Sequence, residues 1–206
     1  MKTTIFSFVT IAAIVLGIGN TTLAADKVGA AKSAEVSTVL TNVPHISKIE
    51  VYGNVELFIS DDEADQVKVY NKYYEQSALV QSQNGVLKIS SYAGQKLVVW
   101  VKASDLRSIT VNDNAEVRSF GKISPIDLKV TLNNNAYAKL NLDGFGVNIT
   151  VNDRAKADLS GAVTQCSLKY NQGATVNSTE FVAEHITRTV DGLVVAAKKT
   201  DWFAGL

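Results

Sequence analysis

Ile109-Thr-Val-Asn-Asp-Asn-Ala-Glu-Val117 aligns without a gap with Val130-Thr-Leu-Asn-Asn-Asn-Ala-Tyr-Ala138, Ile149-Thr-Val-Asn-Asp-Arg-Ala-Lys-Ala157 and Leu168-Lys-Tyr-Asn-Gln-Gly-Ala-Thr-Val176. Each copy reads apolar, polar, apolar, Asn, two turn residues, Ala, polar, apolar. The shared Asn falls at 112, 133, 152 and 171, so the copies are 21, 19 and 19 residues apart. Alternation with period two on both sides of a short polar break describes two strands joined at a corner, each sending alternate side chains to one interior. One such unit cannot bury its apolar face alone, but units stacked at the strand spacing of about 4.8 Å can. Asn suits the corner because it tolerates left-handed backbone. Its amide can also bond to the same amide in the next unit.

Working outward, Val51-Tyr-Gly-Asn-Val-Glu-Leu57 is a fainter copy. Gln66–Tyr70, Gly85–Ser90 and Leu97–Val101 alternate like strands, with Asn84-Gly85 as a turn signal. An antiparallel sandwich would show short strands too, but would not require one letter at one corner every 19 to 21 residues. The sequence therefore predicts an all-β fold: a single-stranded right-handed parallel β-helix, a solenoid of about 19–21 residues per rung, over residues 41–206.

The N-terminus reads as export. Lys2, an apolar run from Ile5 to Ile18 and the small, polar stretch Gly19 to Ala25 make residues 1–24 a signal peptide. The apolar run is shorter than the roughly 20 residues a spanning helix needs, so no transmembrane segment is expected after signal removal. Residues 25–40 read as a mobile leader or cap. The expected location is the periplasm, the outer surface or the extracellular space. After cleavage, 19 basic and 20 acidic residues remain. That balance gives no reason to expect nucleic acid as a partner. Cys166 is the sole cysteine, so no intramolecular disulfide can form.

Candidate chemistry is sparse. Cys166 shares the inward column of Leu128 and Val147, where a thiol is an inert small hydrophobe. His45 and His185 lie at opposite ends of the expected rod, too far apart for one metal or proton relay. No short-spaced Cys or His pair suggests zinc. Asp61-Asp62-Glu63-Ala64-Asp65 lacks the glycine and distal glutamate of a calcium loop and reads as a solvated acidic turn. Asp113 and Asp153 stand at equivalent corners, where acid/base work on a glycoside competes with ordinary turn chemistry. Gly144-Phe145-Gly146 lacks the third glycine and helix of a phosphate loop. Asn148-Ile-Thr150 and Asn177-Ser-Thr179 fit a glycosylation pattern. Thr110, Thr131, Thr150 and Lys169, then Glu116, Tyr137, Lys156 and Thr175, form outward rows that serve either as a binding face or as plain surface. Asp201-Trp202-Phe203 reads as a cap over the last rung. No catalytic, cofactor-binding or metal residue, and no cofactor, is assigned.

In the order of its blocks, namely Ile46-Ser-Lys-Ile-Glu-Val-Tyr-Gly-Asn-Val-Glu-Leu57, Asp61 to Val69, Gly85-Val-Leu-Lys-Ile89 and Leu106-Arg-Ser-Ile-Thr-Val111, the chain resembles a family common in Bacteroidetes: the putative auto-transporter adhesin, head GIN domain family, also classed as a domain of unknown function. The resemblance spans about residues 44 to 195. Family members usually carry Gly-Ser-Gly-like triplets at the corners; this chain carries Asn-Asp-Asn, Asn-Asn-Asn, Asn-Asp-Arg and Asn-Gln-Gly. The resemblance implies a non-enzymatic, secreted or cell-envelope adhesin-like module engaging a polysaccharide or another surface protein. A small polysaccharide lyase or hydrolase and an architectural envelope protein are the alternatives.

Overall fold

The computed structural model describes residues 37–40, 43–70 and 78–195. The expected signal peptide, most of the leader and the Asp201-Trp202-Phe203 cap lie outside the described residues. The strands are β1 (Ser37–Leu40), β2 (Lys48–Gly53), β3 (Val55–Asp61), β4 (Gln66–Tyr70), β5 (Ala78–Gln83), β6 (Val86–Ser91), β7 (Leu97–Ala103), β8 (Ser108–Val111), β9 (Glu116–Ser119), β10 (Asp127–Leu132), β11 (Tyr137–Val151), β12 (Lys156–Tyr170), β13 (Thr175–Val190) and β14 (Leu193–Val195).

They form one 14-stranded sheet. Its main path runs β1-β4-β7-β3-β9-β11-β10-β8-β2-β6-β5, with β12, β13 and β14 added beyond β11. The sheet curls because β11 belongs to both arms. Its start, Tyr137–Lys139, pairs with β9, and its end, Gly146–Val151, pairs with β10. The inward side chains of the two arms merge into one apolar core: Val51, Ile89, Val111, Leu132 and Val151 from one, Leu57, Val99, Val117, Ala138 and Ala157 from the other.

The repeat spacing sets the register of the parallel neighbours. Leu132 pairs with Val111 on one side and Val151 on the other, and Val151 with Tyr170. The first three are buried and Tyr170 is half-buried. At the corners, Asn133 Nδ2 donates to Asn112 Oδ1 at 2.8 Å and Asn152 Nδ2 to Asn133 Oδ1 at 2.8 Å. The left-handed residue, however, is the one after three of the four column Asn: Asp113, Asn134 and Asp153 have φ of 62°, 63° and 56°. A short polar side chain lowers the strain there.

Two findings correct the expected right-handed parallel β-helix solenoid. First, the sheet is mixed: β1 with β4, β4 with β7, β5 with β6 and β13 with β14 are antiparallel. Second, strands do not stack in chain order. The β2–β3 pair lies between β6–β7 and β8–β9, since β2 pairs with both β6 and β8, and β3 with both β7 and β9. The fold is therefore an all-β, mixed parallel and antiparallel curled sheet, and no uniform series of rungs runs through the described residues.

The cause is local. Asn84 and Gly85, with φ of 51° and 77°, make the two-residue turn whose twist matches a hairpin, and this folds β5 back on β6. Asp191 and Gly192, at 47° and 81°, do the same for β13 and β14. The acidic turn after β3 sends β4 back along β7 instead of onward to a new level.

Candidate functional site

Outward positions on one arm form rows across the strands. One row, from register, is Lys68, Trp100, Phe58, Arg118, Lys139, Asp158 and Asn177 on β4, β7, β3, β9, β11, β12 and β13. The next is Val98, Glu56, Glu116, Tyr137, Lys156 and Thr175. Strand alternation turns each away from the core: Leu57 and Ile59 flank Phe58, Val99 and Val101 flank Trp100, and all four flanking residues are buried.

The aromatic residues gather at one end. Phe58 and Trp100 stack with centroids 4.7 Å apart and planes 23° apart. Phe120 tilts onto Trp100 at 5.0 Å, and Tyr70 meets its edge at 6.5 Å. Phe120 is 62% exposed. Side chains of this size with no place in the core are a cost in solubility unless they contact something.

Charge is ordered beside them. Glu56 and Glu116 lie directly opposite on neighbouring strands, an arrangement that repels. Arg118 bridges them, with Nε 3.1 Å from Glu56 and an Nη 2.9 Å from Glu116, and Lys96 donates to Glu116 at 2.5 Å. Burial raises the Glu116 carboxyl, but the hydrogen bonds from Lys96 and Arg118 outweigh it and hold the group below its ordinary value. Arg118 also sits 5.3 Å from the centroid of the Tyr137 ring. The Tyr137 hydroxyl donates to Asp158 at 2.6 Å. Burial, then Asp158, push that phenol up to about 12. Glu116, Arg118, Asn135, Tyr137, Arg154 and Lys156 line a shallow depression of about 700 Å³.

Of the residues singled out in the sequence, Glu116, Tyr137, Lys156, Thr175 and Asn177 lie on this face and the others lie elsewhere. Cys166 is 4% exposed and pairs with Val147 and Ile186; burial pushes its thiol up to about 11, with Arg188 opposing. It lines a second depression of about 470 Å³ with His185, whose strand partner is Gln165. A thiol held in its protonated form is a poor nucleophile. His45 Nδ1 lies 3.1 Å from Asp65 Oδ2, and its Nε2 lies 3.8 Å from Asp105.

Asp65 is no solvated turn residue: its side chain is 8% exposed and accepts from Ile46 N at 2.6 Å and Ser104 N at 2.7 Å. Asp113 accepts from Gly53 N at 3.1 Å and Asn134 Nδ2 at 3.1 Å, and Asp153 accepts from Asn134 N at 2.9 Å. Both carboxylates tie neighbouring corners together. Gly144 is needed for close approach, since a Cβ there would lie 2.3 Å from Pro125 O. Asn148 Nδ2 donates to Asp127 at 3.2 Å, and Asn177 accepts from Thr179. The two outward rows named from sequence are in register, Thr110-Thr131-Thr150-Lys169 and Glu116-Tyr137-Lys156-Thr175. Among the described residues, no three of His, Cys, Asp and Glu converge as metal ligands, and no helix is long and apolar enough to cross a membrane.

The sequence reading missed the aromatic group. Its signal was parity, because Phe58 and Trp100 each sit between two β-branched or leucine residues that point inward.

The family model described as "Putative auto-transporter adhesin, head GIN domain" matches residues 45–193. Among curated proteins, none matches. Three solved structures are similar in fold. A putative adhesin from Bacteroides fragilis NCTC 9343 has a TM-score of 0.65 at 10% identity, covering 76% of this chain and 77% of that one. A putative lipid binding protein from Parabacteroides distasonis ATCC 8503 gives 0.59 at 9% identity over 75% and 78%. A putative adhesin from the same organism gives 0.57 at 15% identity over 75% and 77%.

Proposed function

We propose that this chain, which belongs to the putative auto-transporter adhesin, head GIN domain family, is a non-enzymatic, exported cell-envelope module that holds a polysaccharide or another surface protein on the outer face of β7, β3, β9, β11 and β12. The observation that carries the reading is the aromatic group on that face. Phe58, Trp100 and Phe120 pack on one another outside the core, on an array of strands whose other outward residues are mostly polar. Aromatic side chains with one face packed and one edge wet are typical of contact surfaces.

Binding without turnover fits the electrostatics. A glycoside-cleaving pair needs one carboxyl whose proton is retained near neutral pH. Glu116 is shifted the opposite way. Cys166 offers no nucleophile. The assignment is therefore no catalytic, metal or cofactor-binding residue.

The test pairs a glycan-binding array with a reducing-end assay on the same polysaccharides. Binding with no release of reducing ends is expected. Turnover that disappears when Glu116 or Glu56 is replaced by Gln would replace this reading with an enzymatic one. Blank results in both assays would favour an architectural role.

A further inference from the structure

We infer that this face is a binding stripe for an acidic polysaccharide lying across the strands, with sugar rings on Trp100, Phe58 and Phe120 and acid groups at Lys139, Arg154 and Lys156. The inference rests on the interaction-module reading and names its ligand class.

Charge on the face is divided. At the aromatic end three cations have a partner: Arg118 has Glu56 and Glu116, Lys96 has Glu116, and Lys102 has Asp62, while Lys68, in register with Trp100, has no carboxylate within 4.0 Å among the described residues. At the other end, Lys139 on β11, Lys156 on β12 and Arg154 in the corner between those strands are exposed, and none has a carboxylate within 4.0 Å among the described residues. The carboxylate nearest them in register, Asp158, takes the Tyr137 hydroxyl instead. Three cations without a carboxylate partner among the described residues thus stand together at β11, β12 and the corner between them, with Asp158 among them.

The two halves are in line. From Trp100 on β7 the row passes through Phe58, Arg118 and Lys139 to Asp158 on β12. Four strand steps of about 4.8 Å make a stripe roughly 19 Å long. An extended chain can meet both ends at once; a single sugar cannot. Carbon–hydrogen faces of sugar rings pack against the electron-rich faces of aromatic rings. Carboxylate or sulfate groups on the same chain meet the cations, where Arg offers a forked donor and Lys a point charge.

The experiment is affinity electrophoresis of the purified chain through gels containing polygalacturonate, with dextran as the neutral polymer, at low and high salt. Polygalacturonate is expected to retard the chain and dextran to have little effect. Combining Arg154→Glu with Lys156→Glu is expected to weaken retardation at least tenfold. Phe120→Ala is expected to weaken it severalfold while leaving its salt dependence unchanged, which a purely ionic contact would not give. Phe120, Arg154 and Lys156 are exposed, so all variants should melt with the parent chain.

Equal retardation by dextran, or unchanged affinity in the double charge variant, overturns the acidic assignment while leaving the module reading standing. Full retention in Phe120→Ala, or equal competition by duplex DNA, reduces the site to an unspecific polyanion patch and overturns the stripe. Failure of every glycan and surface protein to bind removes both readings.

Discussion

The stack from β8 to β13 and the folded-back part from β2 to β7 share one core, yet they are held by different means. In the first, neighbouring strands repeat one another, and corners are tied by amides: Asn112, Asn133 and Asn152 form a ladder, with Asn114 and Asn135 beside it. In the second, neighbours differ in sequence, and the ties are individual. Gly53 takes the left-handed place that Asp113 holds one strand over, with φ of 79°, and Asp65 helps to join the segment before β2 to the one after β7. Core side chains follow the same division. Along one register the inward residues run Val99, Leu57, Val117, Ala138 and Ala157. That row narrows to alanine in the repeating stack, while Leu132, Leu140 and Leu168 fill its core elsewhere.

The largest expected effect tests that division of labour. Leu57 is fully buried between strands on both sides, and Leu57→Ala should cost about 2–5 kcal/mol, as large-to-small changes do in cores that cannot collapse. Thermal or denaturant unfolding measures it. A loss under ~1 kcal/mol would mean that the folded-back part adapts as readily as a loose surface layer.

Next is the ladder. Asn133 both donates to Asn112 and accepts from Asn152, so Asn133→Ala breaks two hydrogen bonds at part-buried positions. About 1–3 kcal/mol should be lost, because the partner amides are left unmatched. Asn135 is the control: it makes one exposed bond, and Asn135→Ala should cost well under 1 kcal/mol. Equal costs at the two sites would show that the column contributes no more than an ordinary polar surface.

Acid separates the two parts by a third, smaller effect. The ladder contains no titrating group. Burial raises the Asp65 carboxyl, but the N–H groups of Ile46 and Ser104, the Ser104 hydroxyl and His45 together bring it below its ordinary value. A carboxyl lowered on folding contributes stability above its unfolded value, near ~4, and that contribution disappears as pH falls through the folded value. Amide exchange at Ile46 and Ser104 should therefore accelerate below pH ~4 relative to exchange within β11 and β12. Asp65→Asn should abolish that differential response. A response unchanged by the substitution would place the acid sensitivity elsewhere.

The same division explains how much was legible. The register of β8, β10, β11 and β12 was readable because stacking identical strands requires identical letters, and period two told inside from outside. The Cys166 column could be placed for the same reason. The order of β2 and β3 was not readable: it depends on what Asn84-Gly85 and the turn after β3 do to chain direction, and a hairpin turn states reversal without naming the edge to which the returning strand docks. Asp191-Gly192 carried the same signal as Asn84-Gly85. Asp65 looked like one of four acidic neighbours, and only the arrival of residues 46 and 104 makes it a buried acceptor. Trp100 and Phe58 were visible by parity, but their stacking follows from β3 pairing with β7, a consequence of that unread order.

The smallest effect addresses the boundary itself. The ladder ends at Asn112 because Tyr52 occupies the place where the next Asn would stand, and Asn112 Nδ2 donates instead to Val51 O at 3.2 Å. Tyr52→Asn supplies the missing amide, with a gain of about 0.5–1.5 kcal/mol. It also removes a ring 5.2 Å from Lys88 Nζ and a hydroxyl that donates to Glu50 at 3.3 Å, losses of about 0.5–1 kcal/mol each. Net stability should move by less than ~1 kcal/mol in either direction, so unfolding of the single variant decides little. A double-mutant cycle with Asn112→Ala isolates the new contact: residue 112 should become more costly to remove once the amide at position 52 is present, with a coupling of ~0.5 kcal/mol or more. Zero coupling would mean that the ladder stops where backbone geometry stops it, and that the boundary between the two parts is set by the turn at Gly53 and not by which side chain precedes it.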